Sequence, residues 1–307
     1  MPEIVPEPSV TVVIPHYGDP APTAALAASL LEARSTCLAG VVVADDASPV
    51  PYPDSDDARL TVVRRPANGG FGANVNTGLA EVRTEYALVL NSDALITGEQ
   101  IDALVAAAAP FQPAVVSPQV VNEDGTPQWS GRHFPTVLHQ TVEWLTPLAR
   151  FRHLDVLHEA VGHDVHAAEA TEPVPVDWVM GAVMLLPMAE VRAVGGFDEA
   201  YFMNSEEVDL QQRLRRRGIP SIVIPTIHVT HGLHGSSDPL RRRAWLVDSR
   251  FRYARKFGRP RALRAALTAA TGANLAVNAL RQARGTDVDA RRVAKDELRL
   301  IWRGTRR

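Results

Sequence analysis

Tyr86-Ala87-Leu88-Val89-Leu90-Asn91-Ser92-Asp93 is the stretch on which the fold of this chain turns. Five apolar residues run without alternation and stop at a polar triplet that ends in a carboxylate. An unbroken run this short, in a chain of alternating elements, reads as a buried strand of a parallel sheet. Working back toward the N-terminus, the same pattern recurs. Val10–Ile14 is β-branched, Gly40–Val43 runs into Asp45-Asp46, and Leu60–Arg64 precedes a glycine-rich turn at Asn68-Gly69-Gly70-Phe71-Gly72. Helical segments are expected at Pro22–Ala33 and Ala73–Val82. Four strands with helical crossovers predict a parallel, doubly wound sheet whose ligands bind beyond the carboxyl ends of the strands. The polar clusters at Asp45, Asn68 and Asp93 all fall there.

Toward the C-terminus the expected elements are a helix at Leu104–Ala109, a strand at Val115–Ser117, and a strand and turn over Val120–Thr126 with Asp124-Gly125 as a hairpin signal. Periodicity fades from Trp129 to Val174. That stretch holds Arg132 and six histidines, 133, 139, 153, 158, 163 and 166, with no metal-ligand spacing to acids or cysteine. It reads as a mobile substrate loop with surface histidines. Buried strand character returns over Val176–Leu186. Between Asp198 and Asp209 lie five carboxylates, Asp198, Glu199, Glu206, Glu207 and Asp209, among Phe197, Tyr201, Phe202 and Met203. Ser205 as N-cap of a helix starting at Glu206 would account for acids in a first turn. Acid held at a core edge for chemistry is the other reading, and Asp93 far upstream favours it. The helix is expected to stop at Gly218, and a strand from Ile219 continues toward His228, His231 and a Gly- and Ser-rich turn.

Composition narrows the class. The chain has 307 residues, 46% hydrophobic and 22% charged, as soluble globular proteins do. The single cysteine, Cys37, excludes an intrachain disulfide and a thiolate zinc cluster, so a reducing, cytoplasmic setting is expected. Met1–Ser9 lacks the pattern of a signal peptide, and no apolar run is long enough to span a membrane. The net charge of −3 conceals an uneven distribution, with 19 basic and 5 acidic residues from Arg241 onward against 13 and 30 before it. Helices are expected through 241–307, with breaks at Arg259-Pro260 and Gly272 and a cap at Gly285-Thr286-Asp287. This tail has three readings: packing on the acidic body, a homodimer contact, or reversible peripheral seating on an anionic bilayer through Ala262–Leu280 and its arginine border.

The ordered set Ile14-Pro15-His16-Tyr17, Val43 to Ser48, Asn68 to Gly72 with Asn76, Asn91-Ser92-Asp93, Trp178 to Ala182, Gly195 to Glu199, Glu206 to Leu210 and His231 resembles family 2 inverting glycosyltransferases, closest to their bacterial rhamnosyltransferase-like branch. The resemblance covers roughly residues 9–257. It implies an α/β, GT-A type Rossmann-like and mostly parallel sheet flanked by helices, over 1–240, with a basic helical C-terminal extension over 241–307.

The resemblance further implies a nucleotide-diphosphate sugar donor, dTDP- or UDP-linked, and a divalent cation, Mg2+ or Mn2+. Metal ligation falls on Asp93 and His231. The family's usual Asp-x-Asp is Asn91-Ser92-Asp93 here, leaving Asn91 to orient a water or phosphate. The acceptor, a glycan or a polyprenyl-diphosphate-linked sugar, must lose a proton, and the family's pattern places the general base on Glu207, with Glu206 as rival. Asp209 is expected to brace the site or pair with Arg213. Donor contacts carry over to Pro15, Tyr17, Asp45, Asn68, Gly69, Gly70, Asn76, Asn91 and Asp93, and acceptor contacts to Trp178, Gly181 and Ala182. Alternatives are a soluble small-molecule acceptor, or a nucleotide-sugar-binding module without catalysis; no nucleic-acid partner is expected.

Overall fold

The computed structural model describes residues 10–151, 153–232 and 239–303. β1 (Val10–His16), α1 (Pro20–Glu32), β2 (Leu38–Asp45), β3 (Leu60–Arg64), α2 (Phe71–Leu79) and β4 (Tyr86–Leu90) follow the apolar runs of the sequence. β1 pairs in parallel with β2 and β4, and β2 with β3. All five residues of β4 are buried, as an unbroken apolar run requires. α1 starts at Pro20, where Asp19 accepts the Ala21 N–H at 3.0 Å and a first-position proline forfeits no helical bond.

β5 (Ala94–Leu95) follows the polar triplet, and α3 (Gly98–Ala108) begins well before Leu104. Its start is a capping box in the sequence: Thr97 Oγ1 accepts from Gln100 N at 3.2 Å and Gln100 Oε1 accepts from Thr97 N at 2.9 Å. Between β6 (Val115–Val121) and β7 (Gly131–Arg132) the chain turns at Asp124-Gly125, with Asn122 N donating to Thr126 O at 2.8 Å. The stretch without periodicity, expected as a mobile loop, contains α4 (Val137–Trp144), α5 (Asp155–Val161) and α6 (Val165–Glu169). Helices of 8, 7 and 5 residues are too short to print an apolar stripe on the sequence.

The expected single strand over Val176–Leu186 is three: β8 (Val174–Val176), β9 (Trp178–Val179) and β10 (Val183–Pro187). Then come α7 (Met188–Ala193), α8 (Glu206–Arg215) and β11 (Ser221–His231). The main sheet runs β3-β2-β1-β4-β10-β6-β11-β5, with β8 also on β11, and β7 and β9 form a separate pair. β6 and β11 are parallel, while β10 lies antiparallel between β4 and β6. Alternate residues of each strand feed opposite faces. Val12, Ile14 and Leu88 pack with Leu26, Leu30 and Leu104, and Val13, Val42 and Val89 with Val75, Leu79 and Phe197.

The chain divides into two compact units. The first holds this sheet: the described residues up to Arg132, His166–Phe202, and Glu206 through β11. The second is larger than a C-terminal extension, because His133–Val165 and Met203–Ser205 join α9 (Pro239–Phe257), α10 (Pro260–Ala283) and α11 (Ala290–Arg303). Trp144, Phe251, Leu263, Leu267 and Ile301 form its core. Trp144 Nε1 donates to Thr271 Oγ1 at 2.9 Å, and Arg243 and Arg250 of the basic tail pair with Glu297 and Glu143 of the same unit. α10 passes through Gly272 without the expected break. That glycine is exposed, where a helical glycine costs only about 1 kcal/mol. Among the described residues no helix is long and apolar enough to cross a membrane.

Candidate active site

β4 and β11 deliver the two expected metal ligands to one place. β5 pairs with the end of β11, with Ala94 opposite His231, and this brings Asp93 Oδ1 to 3.1 Å from His231 Nε2. Asn91 Nδ2 lies 3.2 Å from the same ring nitrogen, and Gln128 Oε1 lies 2.8 Å from His231 Nδ1. His228 is exposed on β11 and takes no part. A carboxylate and an imidazole side by side are the donor types a divalent cation of the Mn2+ kind takes.

The acidic helix α8 supplies the second feature. The residues before it, Asn204 and Ser205, have φ of 72° and 67°. That is left-handed backbone and not the extended conformation of an N-cap, so Ser205 does not play the capping part expected of it. Glu206 is 2% exposed, and a Cβ on Gly72 would lie 3.2 Å from its Cβ. Glu207 is half-buried, yet its Oε2 is shut off from solvent and has no hydrogen-bond partner. Burial raises its pKa above the ordinary carboxylate value, and its own backbone N–H and the charge of Arg132 offset only part of this. Asp209 is fully buried, with Arg213 Nε donating to Oδ2 at 2.7 Å, the expected bracing pair.

The link between Glu207 and the strand-end group is the turn from β9 to β10. A Cβ on Gly181 would stand 3.8 Å from Glu207 Cγ, and the carbonyl of the next residue, Ala182, accepts from Asn91 N at 2.9 Å. A carboxylate with a raised pKa and the Asn91–Asp93–His231 group thus flank one two-residue turn. Trp178 is 8% exposed, and Arg132 lies over its ring at 5.4 Å. The guanidinium covers the face that the sequence reading gave to a sugar.

On the other side of β4 the structure redistributes the donor residues. Pro15 is half-buried and Tyr17 is 54% exposed at the carboxyl end of β1. Asp45 is 1% exposed; Ser48 N and Tyr52 N donate to it at 2.8 and 3.2 Å, and Arg64 pairs with it. Burial opposes its charge, but Ser48, Tyr52 and Arg64 together hold its pKa below the usual value. Asp45 therefore shapes the loop after β2, in place of reaching out to a base. Asn76 is likewise spent on the chain itself: it donates to Phe197 O at 2.9 Å and Glu199 Oε1 at 3.0 Å and accepts from Phe197 N at 2.9 Å. Asn68 is exposed, whereas the N–H groups of Gly69 and Gly70 both donate to Asp46, each at 2.8 Å. Those amides hold a carboxylate of this protein and not a phosphate. Asp46 thus pins the glycine turn, a role only the three-dimensional contact reveals.

Gly70 has φ 85°, and a Cβ there would fall 1.8 Å from Phe202 O. Gly70→Ala is expected to destabilise the fold by on the order of 3 kcal/mol, from left-handed strain plus a backbone clash. Thermal unfolding followed by circular dichroism checks this; a Tm within a degree of wild type would refute it.

A second group appears among the histidines, against expectation. His133, Glu159 and Asp164, in the second unit, offer ligand atoms within 4.8 Å of one another. His133 Nε2 is 2.9 Å from Glu159 Oε2, and Glu159 Oε1 accepts from Val165 N at 2.8 Å. His158 and His163 stack with ring centroids 5.2 Å apart. The turn at Gly162, between α5 and α6, brings these residues together, which no sequence spacing shows.

A parallel half-sheet carrying an Asp–His pair at its carboxyl edge, beside a buried carboxylate at a helix start, defines a GT-A glycosyltransferase fold. The family model Glycosyl transferase family 2 matches residues 11–170, and the chain belongs to that family. Over 208 residues it is 30% identical to the N-acetylglucosaminyl-diphospho-decaprenol L-rhamnosyltransferase of Mycobacterium tuberculosis, covering 62% of this chain and 66% of that protein. It is 26% identical over 199 residues to the rhamnosyltransferase WbbL of Escherichia coli K12, covering 61% and 71%. The chain thus spans slightly less than two thirds of the mycobacterial relative. Among solved structures, the mannosyltransferase PcManGT from Pyrobaculum calidifontis, in complex with GDP-Man and Mn2+, has a TM-score of 0.58 at 17% identity, over 97% of this chain and 86% of that one.

Proposed function

We propose that this protein is an inverting glycosyltransferase that moves a sugar, of the rhamnose kind, from a dTDP- or UDP-linked donor to a hydroxyl of a glycan or polyprenyl-diphosphate-linked acceptor. The observation that carries this reading is the meeting of Glu207 and the Asn91–Asp93–His231 group at Gly181-Ala182. Glu207 takes the acceptor proton as the acceptor oxygen bonds to the anomeric carbon, and the bond from that carbon to the diphosphate breaks with inversion. A raised pKa makes this carboxylate a better proton acceptor than an ordinary one. Asp93 and His231 would hold Mg2+ or Mn2+, which as a Lewis acid neutralises charge developing on the leaving diphosphate. Gly181 keeps side-chain bulk away from Glu207, and Tyr17 offers an exposed aromatic face on the donor side. The rhamnosyltransferase relatives support the sugar class, and the Mn2+ in PcManGT supports the cation. The test is release of nucleoside diphosphate from a panel of dTDP- and UDP-sugars with Mn2+ or Mg2+. Binding of donors with no turnover across acceptors would leave only a binding module.

A lipid-linked acceptor also bears on the tail. The helix expected to meet a membrane, Ala262–Leu280, lies in α10, whose Leu263, Leu267 and Ala270 are buried within the second unit. The apolar and cationic surface belongs to α11: Leu298 and Trp302 are 36% and 54% exposed beside Arg291, Lys295 and Arg299. Such a face suits an anionic bilayer. The protein is expected to sediment with anionic liposomes at low salt and to lose this with Lys295→Glu/Arg299→Glu; equal sedimentation of both proteins would remove α11 from the contact.

A further inference from the structure

We infer that Gln128 is a positioning residue that fixes the tautomer of His231, leaving the Nε2 lone pair directed at the place where Asp93 points. The inference rests on the cation reading above only for its consequence, since the tautomer itself follows from a chain of hydrogen bonds whose direction is set at one end.

That end is Asp124, at the hairpin between β6 and β7. Its carboxyl is held below the ordinary value, first by the Thr126 side chain, so it is ionised and only accepts. Thr126 Oγ1 donates its hydrogen to Asp124 Oδ1 at 2.6 Å and receives Asn122 Nδ2 at 2.8 Å. Asn122 is thereby oriented with Oδ1 outward, where it accepts from Gln128 Nε2 at 2.8 Å. Gln128 Nε2 gives its other hydrogen to the main-chain oxygen of His231 at 2.7 Å. Both hydrogens of the amide now lie on oxygens. A flipped Gln128 would set Oε1 against those same two oxygens, so the flip is ruled out chemically. Gln128 Oε1 therefore faces His231 Nδ1, 2.8 Å away, as a pure acceptor, and Nδ1 must carry the hydrogen.

In the neutral ring the lone pair is then on Nε2. Asn91 Nδ2, 3.2 Å away, is a donor suited to that lone pair, while Asp93 Oδ1 at 3.1 Å is a second lone-pair donor converging with it. Two converging lone-pair donors are what a cation needs and what two protein groups alone do not want. Gln128 is 9% exposed, so water does not readily replace its carbonyl. Partners of this kind behind a ligating histidine change metal affinity by about 10–100-fold.

The test reads His231 directly. Long-range 1H–15N correlation spectra of the full chain at mildly alkaline pH, assigned with His231→Gln, are expected to show the Nδ1–H tautomer. Gln128→Leu should move the ring toward Nε2–H and weaken Mn2+ binding about 10–100-fold in electron paramagnetic resonance titrations with UDP present. An Nε2–H tautomer in the wild-type protein overturns the inference whatever the variants do. So does a folded Gln128→Leu with unchanged tautomer and unchanged Mn2+ affinity. If wild type binds no Mn2+ with UDP, the cation reading fails, and the spectra still decide the tautomer.

Discussion

Glu207→Gln is expected to lower kcat at least about 10²-fold, the lower share of general-base catalysis, with donor affinity little changed. Gln fills the same space beside Gly181 but cannot take the acceptor proton. Glu206→Gln is expected to matter less, because Glu206 is buried against the start of α2. Steady-state kinetics with a saturating donor would reveal the ranking, and a larger loss at Glu206 would move the base by one residue.

The same substitution has a pH signature. The pKa of Glu207 is raised in the fold, first by burial. Wild-type kcat/KM should therefore fall as pH drops through that raised value, and Glu207→Gln should lack this limb. Stability has the opposite sign. Between the unfolded and the raised folded pKa the native state binds more protons, so the contribution of Glu207 to stability falls as pH rises through that window. Glu207→Gln should gain in unfolding temperature over wild type as pH rises through the raised folded value. A loss there would mean that the carboxylate is stabilised by contacts beyond those described.

β1, the second half of β2 and β4 were legible because strands buried on both faces are written as continuous apolar runs, and the edge strand β3, half-buried to exposed, kept its β-branched Thr61-Val62-Val63. Beyond β4 that legibility declines, and the reason is local. Val176 to Leu186 reads as one apolar stretch, but Asp177 and Met180-Gly181-Ala182 break this region into three strands that pair with β11, with β7, and with β4 and β6. Asp93 and His231 could be paired from the sequence only through the family resemblance, since β5 and the end of β11 make the contact. Asp46, Asn76 and Gln128 are a different case. Each satisfies backbone or side-chain groups far away in sequence, so residue type alone shows a polar group near a strand end and does not say whether it faces a ligand or the chain. Asn76 reads as donor-binding by motif, yet its amide is used up on Phe197 and Glu199.

Asp93→Ala is expected to reduce transfer on the order of 10³-fold, a loss of the size seen when a stabiliser of developing negative charge is removed. It should also remove Mn2+ binding in the presence of UDP. The fold should survive: the Asp93 side chain is 24% exposed, and its main-chain oxygen, which accepts from Gly232 N at 2.9 Å, is untouched by the change. Chelation alone would not decide the matter. His133, Glu159 and Asp164 form a second group able to hold a metal, and a chelator would strip both. The substitution separates them, because Asp93→Ala leaves that group intact. Stoichiometry of bound Mn2+ in wild type and variant, measured beside activity and circular dichroism, gives the answer. A folded Asp93→Ala protein with full activity would sink the assignment. Lost activity with undiminished Mn2+ binding at the nucleotide would place the cation elsewhere and leave Asp93 to hold His231 in position.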